Sequence, residues 1–194
     1  MATRNQGRLT PSRLSHFILR TTPDSFPAMV NWYKKVLQSD VVFENEAVCF
    51  MYYDDEHHRI GIGCGPGIGD RPLNCKGVDH IAFAYETVGE LVTTYERLVS
   101  EGITPTAPMH HGATLSMYYL DPDHNQVELL VDCFKTREEA HEYVRGAAFG
   151  ENPIGVRYDA DELARRYHDG VPEAELLRPI AGGPPPPGEW PVPH

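Results

Sequence analysis

The sequence predicts an α+β fold built from two βαβββ modules and followed by a C-terminal helical extension, a reading carried by three observations. Apolar residues alternate in several short runs and recur at three- and four-residue spacing in two longer ones. The order strand, helix, strands occurs twice. Each first strand carries a histidine at the same place, in LSHFIL and VDHIAF, so that His80 stands 64 positions after His16.

The first module opens with LSHFILR (Leu14 to Arg20), whose apolar and β-branched content suits a strand, and Thr21-Thr22-Pro23-Asp24 then supplies turn chemistry. A helix is expected from Ser25 to Leu37, because Phe26, Met29, Val30, Tyr33 and Leu37 form one apolar stripe. Short strands are expected around Val41 to Glu44, Ala47 to Tyr53 and His57 to Gly63. Glycines and prolines in GIGCGPGIGDRP (61–72) then break the pattern and connect the halves. No Lys-Ser/Thr pair or helix follows them, so they do not read as a phosphate loop.

The second module repeats the order. VDHIAFAY is the strand, Val88 to Ser100 a helix with Leu91, Tyr95, Leu98 and Val99, and Thr114 to Leu120 and Gln126 to Val131 are strands joined by the turn DPDHN. After Phe134 two charged helix candidates follow, TREEAHEYVRGAAFG and DADELARRYHDG, the latter capped by Asp159 or Asp161. They are expected on the outside of the core. The last stretch, GGPPPPGEWPVPH, reads as extended or disordered.

With 194 residues and 41% hydrophobic content, the chain can bury a substantial core. It has no apolar run of bilayer-spanning length, and its N-terminus lacks a secretory pattern, so a cytoplasmic protein with no membrane role is expected. A net charge of −11 argues against nucleic acid as a partner. The four cysteines have no CxxC spacing and are expected to be reduced and mostly buried. Ten histidines, with doublets at His57-His58 and His110-His111, are the compositional oddity, and histidine is the commonest metal ligand.

Two imidazoles and one carboxylate on one face of a divalent metal leave positions open for substrate and O2, and such sites favour Fe(II). His16, His80 and Glu128 are the candidates. By alternation His80 shares a face with Val78, Ala82 and Ala84, which is read as pointing inward. Glu128 is the one carboxylate inside the apolar run QVELLV, where an unpaired charge would be costly. Taken singly, a histidine on an apolar face is usually a satisfied core residue. The combination of two equivalent histidines and one strand carboxylate shifts that reading to a ligand set.

The chain from about residue 12 to 134 resembles the vicinal oxygen chelate (glyoxalase/bleomycin resistance/dioxygenase) superfamily, and within it the one-domain type I extradiol dioxygenases of the 2,3-dihydroxybiphenyl 1,2-dioxygenase type. The most specific part is HGATLSMYYLDPDHNQVE (111–128), which looks like the family pattern of a histidine, a spaced tyrosine, an Asp-Pro turn and the ligand glutamate. Two positions depart from it: His124 stands where Gly or Pro is usual, and Met109 where a small or β-branched residue is usual. DEHHRIGI (55–62) looks like the family segment whose histidine pair supplies an acid–base group, and alternation with Ile60 and Ile62 assigns that role to His58, with His57 turned outward.

The resemblance implies that the two modules form a half-open mixed β-barrel around a metal site, as a vicinal oxygen chelate domain over 12–134, followed by a helical extension over 135–178 and a Pro-rich tail over 179–194. It implies Fe(II), with Mn(II) as the alternative metal, a catechol-type aromatic substrate and O2, and extradiol ring cleavage that inserts both oxygen atoms. His16, His80 and Glu128 would bind the metal, His58 would move protons, and Tyr118 would hydrogen-bond the diol. His111, and in the second place His110, would contact substrate. A homo-oligomer is also implied.

Relatives with lyase, isomerase or thiol-transferase chemistry often use a fourth ligand from the first module. The offset from His80 to Glu128, applied to His16, lands on Cys64 in a neighbourhood without a carboxylate, which disfavours a glyoxalase-type lyase, isomerase or glutathione transferase. An intact triad disfavours a metal-free resistance protein that merely binds its ligand.

Overall fold

In the computed structural model, residues 10–72, 75–180 and 182–183 are described, and the chain divides into two compact units between Gly69 and Asp70. The first unit contains β1 (Phe17–Thr21), α1 (Phe26–Leu37), β2 (Asp40–Glu44), β3 (Val48–Tyr52) and β4 (Ile60–Cys64). Its four-stranded sheet has the order β1-β4-β3-β2, with β1 and β4 parallel and the other pairs antiparallel. The predicted turn is present: Thr22 accepts the amides of Ser25 and Phe26 through its hydroxyl and carbonyl, and Pro27 lies in the first turn of α1. Of the expected stripe Phe26, Met29, Val30 and Tyr33 are buried and Leu37 only partly so, Val36 being buried instead, and Cys49, Met51, Ile60 and Ile62 are buried as well. Removing each of these larger side chains from water stabilises the unit by about 1.5–3 kcal/mol before the entropy of ordering is counted.

The second unit contains β5 (His80–Tyr85), α2 (Val88–Ser100), β6 (Ala107–His110), β7 (Thr114–Leu120), β8 (Gln126–Asp132), α3 (Arg137–Arg145), α4 (Ala147–Glu151), β9 (Val156–Arg157), α5 (Ala160–His168) and α6 (Glu173–Leu176). Its sheet has the order β5-β8-β7-β6-β9, with β5 and β8 parallel. The α2 helix starts with a capping box, in which Thr87 accepts the Glu90 amide and the Glu90 carboxylate accepts the Thr87 amide. Leu91, Val92, Tyr95 and Leu98 of α2 and the strand residues Leu115, Met117, Tyr119, Val127, Leu129 and Val131 are all buried. The opposite parity, with Tyr118 and Glu128, belongs to the other face of the sheet.

Each unit is thus an α+β module with an open sheet, and neither sheet closes on itself. Several expectations need correction. The C-terminal extension does not merely lie outside: β9 pairs with β6 as a fifth strand, and Tyr158 donates to the Ser116 carbonyl. A two-residue strand carries too little periodicity to be seen in sequence. The cap of α5 is Asp159, which accepts the amides of Asp161 and Glu162. All four cysteines are free, but only Cys49 is buried, and Cys75 is exposed. Among the described residues no helix is long and apolar enough to cross a membrane. The Pro-rich stretch lies outside the described residues except for 179, 180, 182 and 183.

Candidate functional site

In the second unit four polar side chains gather on the face of the sheet opposite α2. Strand register explains why. Glu128 of β8 stands between Ala82 of β5 and Tyr118 of β7, and His80 begins β5 beside Gln126. The small Ala82, itself exposed, leaves room above the carboxylate. His80 Nε2 lies 3.0 Å from Glu128 Oε2, and His111 Nε2 lies 3.8 Å from Glu128 Oε1. The Tyr118 hydroxyl is 3.0 Å from His111 Nε2, and its ring meets both imidazoles edge-on at 87°, with centroids 5.4 Å from His80 and 5.8 Å from His111.

The electrostatics follow from burial and pairing. Glu128 is only 4% exposed. Burial works against its charge, but hydrogen bonds from His80 and Ser116 outweigh it and hold the carboxyl below its usual range. The same bond to Glu128 raises His80, against the effect of burial and with help from Asp79, to about 9. Burial, and then the Glu128 charge, push the Tyr118 phenol far up, so it remains a hydroxyl at all ordinary pH. Asp79 Oδ2, 2.7 Å from His80 Nδ1, orients the ring so that Nε2 faces Glu128.

These donors suit a divalent metal. Ligand bonds of about 2.1 Å at right angles separate two donor atoms by about 3 Å, which the His80–Glu128 spacing meets without rearrangement. Gln126 donates to Asp79 Oδ2 at 3.4 Å, and its buried Oε1 has no hydrogen-bond partner. Among the described residues no three His, Cys, Asp or Glu side chains already stand together as a metal site, and His16 belongs to the first unit.

In that unit His16 and His58 stack with ring centroids 4.4 Å apart, and Phe50 and His57 flank His58 at 5.0 and 4.5 Å. Arg59 builds this group. Its guanidinium pairs with Asp54 and donates to the carbonyls of Leu14 and Ser15, tying the 54–59 loop to the residues just before β1. Arg13 pairs with Glu56 across the same junction. Burial, then the neighbouring imidazoles of His16 and His57, lower His58 below the ordinary histidine value, which favours its neutral form. The expectation that His58 shares a face with Ile60 and Ile62 is overturned. The strand begins at Ile60, His58 sits in the loop before it, and its ring touches Phe50, whose register partner is Gly61. His57 is exposed, as expected.

His110 and His111 part company. His110 pairs with Leu115 and therefore points to the α2 face, where it accepts the Gly112 amide at 3.0 Å and lies 3.9 Å from Cys133 Sγ. The expected substrate contact from His110 is not available on that face. The inward reading of His80 also changes: Ala82 and Ala84, which share its parity, are exposed, as is Val78, so this face is open at its β5 edge, whereas Glu128, Tyr118, Ala107 and Met109 on the same face are buried.

Register also corrects the search for a fourth ligand. Aligning the parallel pairs β1/β4 and β5/β8 places Gly61, rather than Cys64, at the position of Glu128, with Ile18 matching Ala82 and Phe50 matching Tyr118. A Cβ at Gly61 would collide with the Ile18 Cδ1 and crowd the Phe50 ring. The first module is apolar where the second is ionic, and no carboxylate can stand there. Sequence reasoning missed Asp79, although its place directly before His80 was a signal, and it missed Ser116 and the main chain of Ile154, which accepts from His111 Nδ1 at 2.6 Å.

Comparison with known proteins agrees with this architecture. The model of the Glyoxalase/Bleomycin resistance protein/Dioxygenase superfamily matches residues 13–129. The chain is 44% identical over 170 residues to biphenyl-2,3-diol 1,2-dioxygenase 3 of Rhodococcus globerulus, covering 87% of this chain and 88% of the relative. It is 40% identical over 161 residues to biphenyl-2,3-diol 1,2-dioxygenase 2 of the same organism, covering 82% and 84%. Among solved structures, the fosfomycin resistance protein FosX of Listeria monocytogenes, complexed with Mn(II) and sulfate, superimposes with a TM-score of 0.52 at 22% identity, over 70% of this chain and 100% of that one. At that identity the likeness concerns the fold alone.

Proposed function

Because the chain belongs to the glyoxalase/bleomycin resistance protein/dioxygenase superfamily, we propose that it is an Fe(II)-dependent extradiol dioxygenase that cleaves a catechol-type ring with O2 and inserts both oxygen atoms. The observation that carries this reading is the convergence of His80, Glu128, Tyr118 and His111 on one sheet face, in a chain 44% identical over most of its length to a relative named for diol cleavage.

His80 and Glu128, with His16 as third ligand, would hold the metal; Mn(II) could take the same donors. When bound, the metal supplies a Lewis-acidic centre with positions open to both diol oxygens and O2. The protein's own groups do the rest. Tyr118 keeps its proton and donates a hydrogen bond to a diol oxygen. His111, whose Nδ1 proton is held by the Ile154 carbonyl, presents the Nε2 lone pair as acceptor for a diol hydroxyl. His58, favoured neutral, takes up a proton and returns it as the ring opens. Asp79 keeps His80 aimed.

The test is anaerobic loading with Fe(II), followed by a panel of catechols that includes biphenyl-2,3-diol, and then O2. Stoichiometric oxygen uptake, a yellow ring-opened product and two labelled atoms from 18O2 are expected. Absence of oxygen uptake with every diol would refute the assignment.

A further inference from the structure

Deepening the ring-cleavage reading, and resting on it for its catalytic consequence, we propose that Asn152 is a positioning residue: through the Ile154 carbonyl it locks His111 in the Nδ1–H tautomer, keeping Nε2 as a hydrogen-bond acceptor. A carbonyl has no proton to give, so the 2.6 Å contact between His111 Nδ1 and Ile154 O requires that Nδ1 carry the hydrogen. In the neutral ring Nε2 then offers a lone pair, and it faces the Tyr118 hydroxyl at 3.0 Å. An unconstrained imidazole favours the other tautomer, which would turn an N–H toward Tyr118 and leave a diol hydroxyl without an acceptor.

The Ile154 carbonyl is held on both sides. Before it, Asn152 closes a ring around the turn: Oδ1 accepts the Gly155 amide at 2.9 Å, while Nδ2 donates to the Gly155 carbonyl at 3.0 Å and to the Gly182 carbonyl at 3.2 Å. After it, Gly155 has φ of +97°, and a Cβ there would collide with the His110 carbonyl, so only glycine lets the backbone pass this close to His110 and His111. Val156 and Arg157 then pair with His110 and Met109. The Ile154 side chain packs on Ala107, Met109 and Tyr118. One residue of the extension therefore bears on both His111 and Tyr118, and Asn152 fixes its place.

The experiment uses full-length protein labelled with 15N-histidine, without metal or substrate, in buffer alkaline enough for neutral rings, with the His111 signal identified by its loss in His111→Ala. The wild type is expected to show the Nδ1–H pattern. Asn152→Ala should shift it toward the Nε2–H pattern and, in the iron-loaded enzyme, lower kcat about tenfold with KM changed less than about twofold. Asn152→Asp, which keeps the Oδ1 acceptor and loses both Nδ2 bonds, should move both readouts the same way by less. An Nε2–H pattern in the wild type, or a wild-type pattern in both variants, would overturn the proposal. Because the tautomer is read without catalysis, a protein inactive toward every diol but showing the Nδ1–H pattern would refute ring cleavage and leave the lock standing.

Discussion

The His80–Glu128 pair couples a raised imidazole to a lowered carboxylate on the face proposed to hold the metal. Without metal it is an ion pair: the raised His80 contributes stability that is complete below about 6.5 and is lost as pH rises through about 9. The depressed Glu128 contributes stability that is present above about 4.5 and is lost as pH falls through its folded value. Chelated protein should therefore lose stability between pH 6.5 and 9, and Glu128→Gln should lose less over the same interval. Denaturation midpoints at the two pH values check this, and identical pH dependence in the two proteins would count against the pairing. A metal must also displace the His80 proton, so metal binding at neutral pH should release protons. Tyr118→Phe removes only the hydroxyl that donates to a diol oxygen; turnover should fall about 10–100-fold with iron content unchanged, as measured by oxygen uptake and metal analysis. His58→Ala should likewise retain iron but slow turnover about 100-fold, the scale of one proton-transfer group. His16, His80 and Glu128 stood out because each interrupts an apolar run. The partners that aim the site's side chains did not: Ile154 acts through its main chain, which has no residue-type signature.

At the scale of elements, the turn between β7 and β8 holds a side chain in an unfavourable backbone conformation. His124 has φ of +63°, in the left-handed region where a side chain is strained, and its amide bonds to the Asp121 carbonyl. The Asp121 carboxylate also accepts the amides of Asp123 and Asn125 and the Asn125 side chain, which holds the turn despite the strain. His124→Gly should raise unfolding stability by about 1 kcal/mol, read from denaturant melts, whereas a loss would show that the histidine makes compensating contacts. Gly61 has the opposite character. Its Cβ space is filled by Ile18 and Phe50, so Gly61→Ala should destabilise by about 1–3 kcal/mol. Helix positions were readable from sequence because their stripes are local: α2 runs from Val88 to Ser100 as its spacing predicts. Strand starts were less so. The alternation argument for His58 assumed that β4 had already begun at His57, whereas it begins at Ile60.

At the scale of the whole molecule, one βαβββ plan occurs twice with different chemistry. In the first unit the position matching Glu128 is a glycine beneath isoleucine and phenylalanine; in the second it is a buried carboxylate beside an alanine and a tyrosine. Two histidines stand at equivalent places of the repeat, but a carboxylate occupies the matching register position in the second unit and a glycine in the first. The C-terminal extension is an integral part of the second unit's sheet, since it supplies β9 and the carbonyl that meets His111.

Read alone, the chain specifies the repeat, both helices and the α+β class, because each depends on spacing within a few turns or strands. Folded register specifies the remainder: that Gly61 and not Cys64 mirrors Glu128, that His111 and not His110 meets Tyr118, and that His111 carries its proton on Nδ1. These depend on pairings between residues far apart in the chain and on main-chain atoms that every residue shares, so no local pattern of side chains can encode them visibly.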